Sequence, residues 1–462
     1  MKSLPGRACL VSMPFGTTTQ PSIGLGLMKG ALLRDGLACD VRYLNLPFAT
    51  RIGIGEYTRI ANTIPGYAIG DWIFTAELFG ARTPPTSRFL DMWRAAGRPA
   101  FPDDEPRLLA IREEAAPFLD ECMAGVPWDD YMLVGFTTLF QQTVASLALA
   151  RRLKDRFPHL QIVLGGANCE GDMGAALHRL FPFVDYVCAG EADISFPRLA
   201  GAVLSGGPVD DIAGVYRRVD GTSVAPSDKT AAVADLDTLA FPDYDDFVEQ
   251  RERSGPPGDR DAAFPIETSR GCWWGQKSHC TFCGLNGETI QFRAKSPARA
   301  LAELRMLRDR YRARFITAVD NILSIRYFRE VLPHLAGMSL ELELFYEIKA
   351  NLKKDQVRLL RDSGIAHIQP GIESFSSRVL TLMRKGVSAL QNIQLLKWCS
   401  EYMVHPTWNL LAGFPGEEPA DYARQAELVP LLTHLPPPVH GRVTPVRLDR
   451  FSPLFTQAES FG

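Results

Sequence analysis

The chain reads as an α/β protein of two domains, a doubly wound parallel sheet followed by a strand–helix barrel, and three observations predict this. Short apolar runs alternate with amphipathic helical stretches, the pattern of parallel strands covered by helices. A polar stretch at 249–261 carries no apolar periodicity and interrupts that alternation, as a linker or exposed loop does. Finally, 462 residues of which 46% are hydrophobic suffice for two to three cores. The division expected is therefore 1–248, a linker at 249–261 and a second domain at 262–462.

In the first domain the apolar runs place strands at 8–13, 39–44, 132–136, 161–164 and 186–189, with helices at 25–34, 143–156, 173–180 and 194–204. Ligands of such a Rossmann-like sheet bind beyond the carboxyl ends of its strands, at the switch point. The residues standing there are Pro14 after the first strand and Thr137, Thr138, Leu139 and Gln141 after the third. Gly165, Gly166, Ala167 and Asn168 follow the fourth, and Gly190 and Glu191 the fifth. A glycine pair lets backbone approach a bulky ligand closely, though it also suits an ordinary strand-to-helix turn. A helical insertion at about 48–130 holds Tyr57, Tyr67, Trp72, Phe74, Phe79 and Trp93, and is broken by Pro65, Pro84 and Pro85. It reads either as a cap over a ligand or as a satellite apolar cluster.

In the second domain strands are expected at 264–268, 315–319, 342–348, 366–371, 407–412 and 442–448. Helices begin near Pro297, Ile325, Lys353, Ser376 and Pro419, with Ser296-Pro297 as a start signal and Gly364 as a stop. Directly after the first of these strands come Cys272, Cys280 and Cys283. Metal ligands at the carboxyl end of a parallel strand stand where an α/β barrel keeps its active site. Three thiolates with no fourth nearby can hold three irons of a four-iron cluster and leave the last iron open. The alternatives are a zinc site completed by His279 and three unrelated buried thiols.

The strand, the cysteine loop and the following Gly284-Leu285-Asn286-Gly287 resemble the cluster loop of radical S-adenosylmethionine (SAM) enzymes. More narrowly, they resemble the cobalamin-dependent C-methyltransferases that mature ribosomally made peptides (RiPPs). Most radical SAM enzymes space their cysteines three and two apart, whereas this chain has seven and two, as that subgroup does. The resemblance runs over nearly the whole chain. It implies a cobalamin-binding Rossmann-like domain, a partial (β/α)6 barrel, and a [4Fe-4S] cluster on Cys272, Cys280 and Cys283 with SAM on the open iron. Polar residues at the barrel strand ends, Asp320, Asn321, Glu347, Lys349, Glu373 and Ser374, are then candidates for holding SAM. Gly371-Ile372-Glu373-Ser374 matches the family's SAM-contacting element, and Gly413-Phe414-Pro415-Gly416-Glu417 resembles the turn that packs on the adenine.

In the first domain, Thr137-x-Leu139 followed by Gly165-Gly166 resembles the elements that hold the nucleotide tail of cobalamin. The Asp-x-His-x-x-Gly element whose histidine ligates cobalt in many cobalamin proteins is absent, and only His159 and His178 occur there. The expectation is methylcobalamin in its base-off form. The resemblance also implies the reaction: a radical generated from SAM abstracts hydrogen from an unactivated carbon of a precursor peptide, and methylcobalamin supplies the methyl group. No catalytic side chain is required beyond the cofactors, and a flavodoxin- or ferredoxin-type protein would donate electrons. Other readings are a different cobalamin-dependent radical SAM reaction, such as cyclisation or methylation of a small metabolite, a non-catalytic cobalamin or cluster sensor, and a methylthiotransferase.

Arg447, near the last strand, could pin a carboxylate or simply pair with Asp449. The chain stops at Gly462 where relatives usually continue, which implies a short member or a trimmed chain. A formal charge of -3 gives no global attraction to nucleic acid or to an anionic membrane, and neither is an expected partner. No apolar run approaches a membrane span. Nine cysteines, three clustered and six scattered, suit a reducing cytoplasm better than a disulfide framework.

Overall fold

A computed structural model describes residues 6–63, 68–101, 104–209, 211–230, 232–254, 262–285, 289–338 and 341–461. The chain forms two compact units, Met1–Val233 with Leu239–Arg260, and Ala234–Thr238 with Asp261–Gly462. Among the described residues no helix is long and apolar enough to cross a membrane.

The first unit contains strands β1 (Arg7–Ser12), β2 (Cys39–Tyr43), β3 (Tyr131–Thr137), β4 (Gln161–Gly165), β5 (Tyr186–Cys188), β6 (Val215–Val219) and β7 (Thr222–Val224). They line up as β2-β1-β3-β4-β5-β6-β7, the first five parallel and the last two antiparallel. Interior strand β1 is a continuous apolar run, Ala8-Cys9-Leu10-Val11, because both of its faces are covered. Edge strand β2 alternates buried and half-buried residues instead. Its open backbone is paired by side chains: Asp246 Oδ2 accepts from Val41 N at 2.9 Å, and Gln250 accepts from Tyr43 N and donates to Val41 O. Both side chains project from the helix Asp245–Ser254, which therefore belongs to this unit. The linker expected from residue 249 thus starts later, and residues 255–261 lie outside the described residues. The β6–β7 hairpin was not anticipated, although Asp220-Gly221, both at positive φ, is the two-residue turn such hairpins favour.

Among the described residues, the insertion at about 48–130 forms seven α-helices: Asn45–Ile52, Ile54–Ala61, Ile69–Ile73, Thr75–Phe79, Thr86–Ala95, Glu105–Glu113 and Ala115–Gly125. It is not a satellite. Phe48, Trp72, Phe74 and Phe118 share one apolar core with Val11, Met13 and Phe15 of the sheet, and the Phe15 and Phe48 rings meet edge to face at 5.7 Å. Tyr67 and Pro65 lie outside the described residues.

The second unit carries β8 (Ala263–Ile266), β9 (Ser269–Arg270), β10 (Arg293–Ala294), β11 (Phe315–Ala318), β12 (Glu343–Ile348), β13 (His367–Pro370), β14 (His405–Pro406), β15 (Leu410–Ala412) and β16 (Val443–Pro445). Five of them form a parallel sheet in chain order, β8-β11-β12-β13-β14, as successive strand–helix units dictate. The strand expected at 407–412 is divided: β14 pairs with β13, while β15 pairs with β16 and bridges to Glu373. The first ladder runs on through Thr407, whose N–H donates to Ile368 O at 2.8 Å, before the chain leaves β13 for β16. The helices begin as expected at Pro297, Lys354 and Pro419, and a further helix, Ala389–Tyr402, is capped by Ser388.

Candidate cofactor sites

The cysteine loop hangs from a short ladder. After β8 the chain pairs β9 antiparallel with β10, Arg270 opposite Arg293, and this ladder stands at the root of the cysteine segment. Gly271 turns the chain at φ +75°, where a Cβ would lie 2.2 Å from Gln291 O, so no other residue fits. Cys272 caps the one-turn helix Trp273–Lys277, its Sγ accepting from Gly275 N at 3.3 Å. The Cys280–Cys283 turn is held at Thr281 from two sides: Thr281 N donates to Met383 O at 3.1 Å, and Leu454 N donates to Thr281 O at 2.8 Å. Between its cysteines, Phe282 meets Phe414 edge to face at 5.5 Å.

The three thiols share one electrostatic neighbourhood. Burial raises the Cys280 thiol, Lys385 and Lys349 pull it back, and Cys272 and Glu373 push it further up. Burial and the other two thiols drive Cys283 to about 11, against the Leu285 amide and Lys385, which lower it. Yet among the described residues no three His, Cys, Asp or Glu side chains converge as a single metal ion requires. The His279 ring is engaged elsewhere, its Nε2 bonding Cys283 O at 2.9 Å. Zinc needs four donors around one ion, whereas a four-iron cluster puts each thiolate on a separate iron. Three neighbouring thiols beside two ammonium groups therefore fit an anionic iron–sulfur cluster better than zinc.

Around the thiols the strand ends bring together some of the expected residues. Glu373 sits at φ +58°, a conformation unusual for a residue with a side chain, and pairs with Lys385 Nζ at 3.2 Å. Gly371 leaves the room that Lys385 needs, since a Cβ there would lie 2.4 Å from Nζ. Glu347 is raised to about 7, by burial first and then by the Glu373 charge, against Lys385. Lys349 is lowered to about 8 by burial and Lys385; its Nζ lies 3.6 Å from the centre of the Trp274 ring and donates to Lys385 O.

Two other candidates have work within the chain. Asp320, 1% exposed, accepts from Thr268 N at 2.7 Å, Thr268 Oγ1 at 2.5 Å and Ser269 Oγ at 2.7 Å, so it anchors the root of the cysteine loop. Burial, only partly offset by these bonds, raises it to about 6. Ser374 is also buried; its hydroxyl donates to Gln425 and accepts from Ser376 N. Asn321 is half-buried, and exposed Gly413 opens the turn whose amides, with that of Phe414, donate to Glu417 Oε2. That turn borders an open cleft of about 870 Å³ lined by Ala412, Phe414, Pro415 and Tyr422. Arg447 pairs with Asp449 at 3.2 Å, both half-exposed, which is the plain surface reading.

Sequence reasoning missed Lys385, Phe282 and the turn Met383-Arg384-Lys385-Gly386. Three successive carbonyls of that turn accept from Thr281 N, Trp274 Nε1 and Lys349 Nζ. The one available signal was a Lys-Gly pair following a short helix.

At the first unit's strand ends the expected motifs meet, but through the backbone. Thr138 N donates to Gly165 O at 2.7 Å, and Asn168 N donates to Thr138 O at 3.2 Å. The Thr138 hydroxyl is spent on Gly165 O, and Asn168 Nδ2 donates to Phe140 O and Thr143 Oγ1. Gln141, buried, accepts from Gly70 N and donates to Ile60 O, tying the switch-point loop to the insertion. Pro14 is buried, and Glu191 accepts from Val233 N. What stays exposed is backbone and apolar surface: Gly166, Ala167, Gly190, Leu139 at 38%, Phe140 at 69% and Ile194 at 52%, with Thr137 half-buried and Gly165 open. Such a surface suits a large, partly apolar ligand. His178 has both ring nitrogens engaged, by Ser223 and Asp185 O, and exposed His159 precedes β4 at the opposite end of the sheet.

Comparison with known proteins agrees with this geometry. Residues 266–429 match the model of the radical SAM superfamily. An uncharacterized methyltransferase of Pyrococcus horikoshii is 24% identical over 293 residues, 62% of this chain and 61% of that protein. The hopanoid C-3 methylase of Methylococcus capsulatus is 24% identical over 272 residues, 57% of this chain and 49% of its own length. The chain thus spans about half to three-fifths of these curated relatives. Among solved structures, the radical SAM methyltransferase TsrM from Kitasatospora setae, with cobalamin and a [4Fe-4S] cluster bound, superposes with a TM-score of 0.64 at 16% identity, covering 99% of this chain and 75% of that one. The cobalamin-dependent SAM radical enzyme OxsB gives 0.62 at 13% identity, covering 99% and 56%. The chain carries a radical SAM domain, in a fold shared with cobalamin-dependent radical SAM enzymes.

Proposed function

We propose that the chain is a cobalamin-dependent radical SAM C-methyltransferase that acts on an unactivated carbon of a ribosomally made precursor peptide. The observation that carries this reading is the group of three thiols at the carboxyl end of β8, beside the Glu373–Lys385 pair and Lys349. The carbon-methylating relative and the cobalamin-bound neighbours support it. When bound, the reduced cluster with SAM supplies a hydrogen-abstracting radical, and cobalamin supplies the methyl group.

The chain's own residues bind and orient. Cys272, Cys280 and Cys283 would ligate the cluster. Glu373, held at the barrel mouth by its backbone and by Lys385, presents a carboxylate to the hydroxyl or ammonium groups of SAM, while Lys385 can offset a carboxylate charge. The Gly413–Glu417 turn, braced by Glu417, offers backbone to the adenine. In the first unit the loops at Thr137–Leu139, Gly165–Asn168 and Gly190 would hold cobalamin through backbone and apolar contact, with no histidine for cobalt. Electrons would come from a flavodoxin- or ferredoxin-type donor.

Anaerobic protein should show iron–sulfur and corrin absorption together, and Cys280→Ala should lose the former and keep the latter. Incubation with reductant, SAM and candidate precursor peptides from neighbouring genes should release 5′-deoxyadenosine and add one methylene mass to the peptide that is the substrate. Colourless protein defeats the proposal at its root. Release of 5′-deoxyadenosine with a peptide of unchanged mass overturns the peptide substrate alone.

A further inference from the structure

The seven residues between Cys272 and Cys280 make a long loop, and a loop already shaped spares a cluster the cost of ordering it. One side chain within it is held from three directions. The Trp274 ring faces Lys349 Nζ at 3.6 Å, its Nε1 donates to Arg384 O at 3.1 Å, and Gly386 lies so close that a Cβ there would stand 2.1 Å from the ring. Lys349 is itself pinned, donating to Lys385 O, and 8% exposed. The neighbouring Trp273 adds a second tether, Nε1 to Leu323 O at 3.1 Å.

We infer that Trp274 is the latch of the enlarged cysteine loop and Lys349 the positioning residue that closes it, so that Cys272 and Cys280 stand ready before any metal arrives. A desolvated ammonium over an indole face is attracted by the ring quadrupole, and tryptophan is the strongest such partner. Lys349 therefore acts on the cluster site through Trp274 and not as a SAM ligand. The inference rests on assigning the three thiols to a cluster, but the order of the loop can be measured without one.

The experiment is hydrogen–deuterium exchange on the full-length, iron-free protein. Lys349→Met should speed amide exchange over residues 273–283 by about 2- to 30-fold, the range spanned by cation–ring contacts. Lys349→Arg, which keeps the charge and can stack on the ring, should restore slow exchange. Trp274→Leu should loosen the same segment, and adding Lys349→Met to it should change nothing further. Wild-type exchange in Lys349→Met overturns the latch, as does Lys349→Arg that is as loose as Lys349→Met. Should Lys349→Met not fold, Gly386→Ala takes its place: faster exchange over 273–283 supports the latch and unchanged exchange overturns it. Cluster absorption of the wild type is read separately, so the failure of the latch and the failure of the cluster assignment are distinguishable.

Discussion

The carboxyl ends of the two sheets stand in contrast. In the second unit, charged side chains remain at the strand ends: Glu373 and Lys385 pair with each other, Lys349 lies beside the thiols, and Glu347 is raised to about 7. In the first, most polar side chains at the equivalent ends are used up within the chain, as Thr138, Gln141 and Asn168 show, leaving backbone and exposed Leu139, Phe140 and Ile194. The difference teaches that the two ends suit different ligands. A small zwitterion beside a charged cluster calls for charge complementarity, whereas a macrocycle calls for area and close backbone approach.

The contrast breaks most readily at Glu373. Glu373→Gln should weaken SAM binding about 10- to 100-fold, the worth of a charge-assisted hydrogen bond, while cobalamin binding in the first unit is unchanged; calorimetric titration of each ligand separates the two. Glu373→Gly should lose SAM to a similar degree and also lower the stability of the ligand-free protein, because the relief of the backbone at φ +58° is outweighed by leaving Lys385 largely buried without its carboxylate.

In the first unit the sensitive element is backbone. Gly166 lies at φ +98°, with a Cβ position 2.6 Å from Thr138 O. Gly166→Ala should destabilise that unit by about 1–3 kcal/mol in urea unfolding and disrupt the Thr137–Asn168 loops together. An equally stable variant with intact cobalamin affinity would remove the argument for a backbone cradle.

An effect confined to one range of pH is expected in the second unit. Glu347 titrates at about 7 in the fold, mainly through burial, above its ordinary range. Ionising it therefore costs the folded state: the favourable contribution of the neutral acid is whole below the unfolded value and is lost as pH rises through about 7. Glu347→Gln should stabilise ligand-free protein at pH 8 by about 1–3 kcal/mol and have little effect at pH 4. Thermal melts at both values check the sign.

Much of this architecture was legible because parallel strands buried on both faces leave continuous apolar runs, as in Ala8-Cys9-Leu10-Val11, and because the three thiols that share one neighbourhood stand close together in the chain. The Gly-Ile-Glu-Ser context singled out Glu373, which the fold places beside Lys385. The departures have identifiable causes. Asp320 looked like a ligand because it is a carboxylate at a strand end, but Thr268 and Ser269, far from it in sequence, take all of its bonds. The strand at 407–412 looked continuous because apolar pattern does not register which neighbour a strand pairs with, and here Thr407 still bonds β13 while β15 pairs with β16. The insertion's aromatic residues did not reveal their partners, since pattern shows that a face is apolar without showing what covers it.

By itself the sequence determined the two α/β units, the order of their strands along the chain, and the three thiols with the glycine turn that starts their loop. These follow from local periodicity, spacing and backbone permission, which neighbouring residues carry. Only the tertiary structure decided which charges survive beside the thiols and which are consumed. Trp274 meets Arg384 across 110 positions, and Lys349 meets Lys385 across 36. Contacts at such separation arise when strands and helices pack, and no local pattern encodes them.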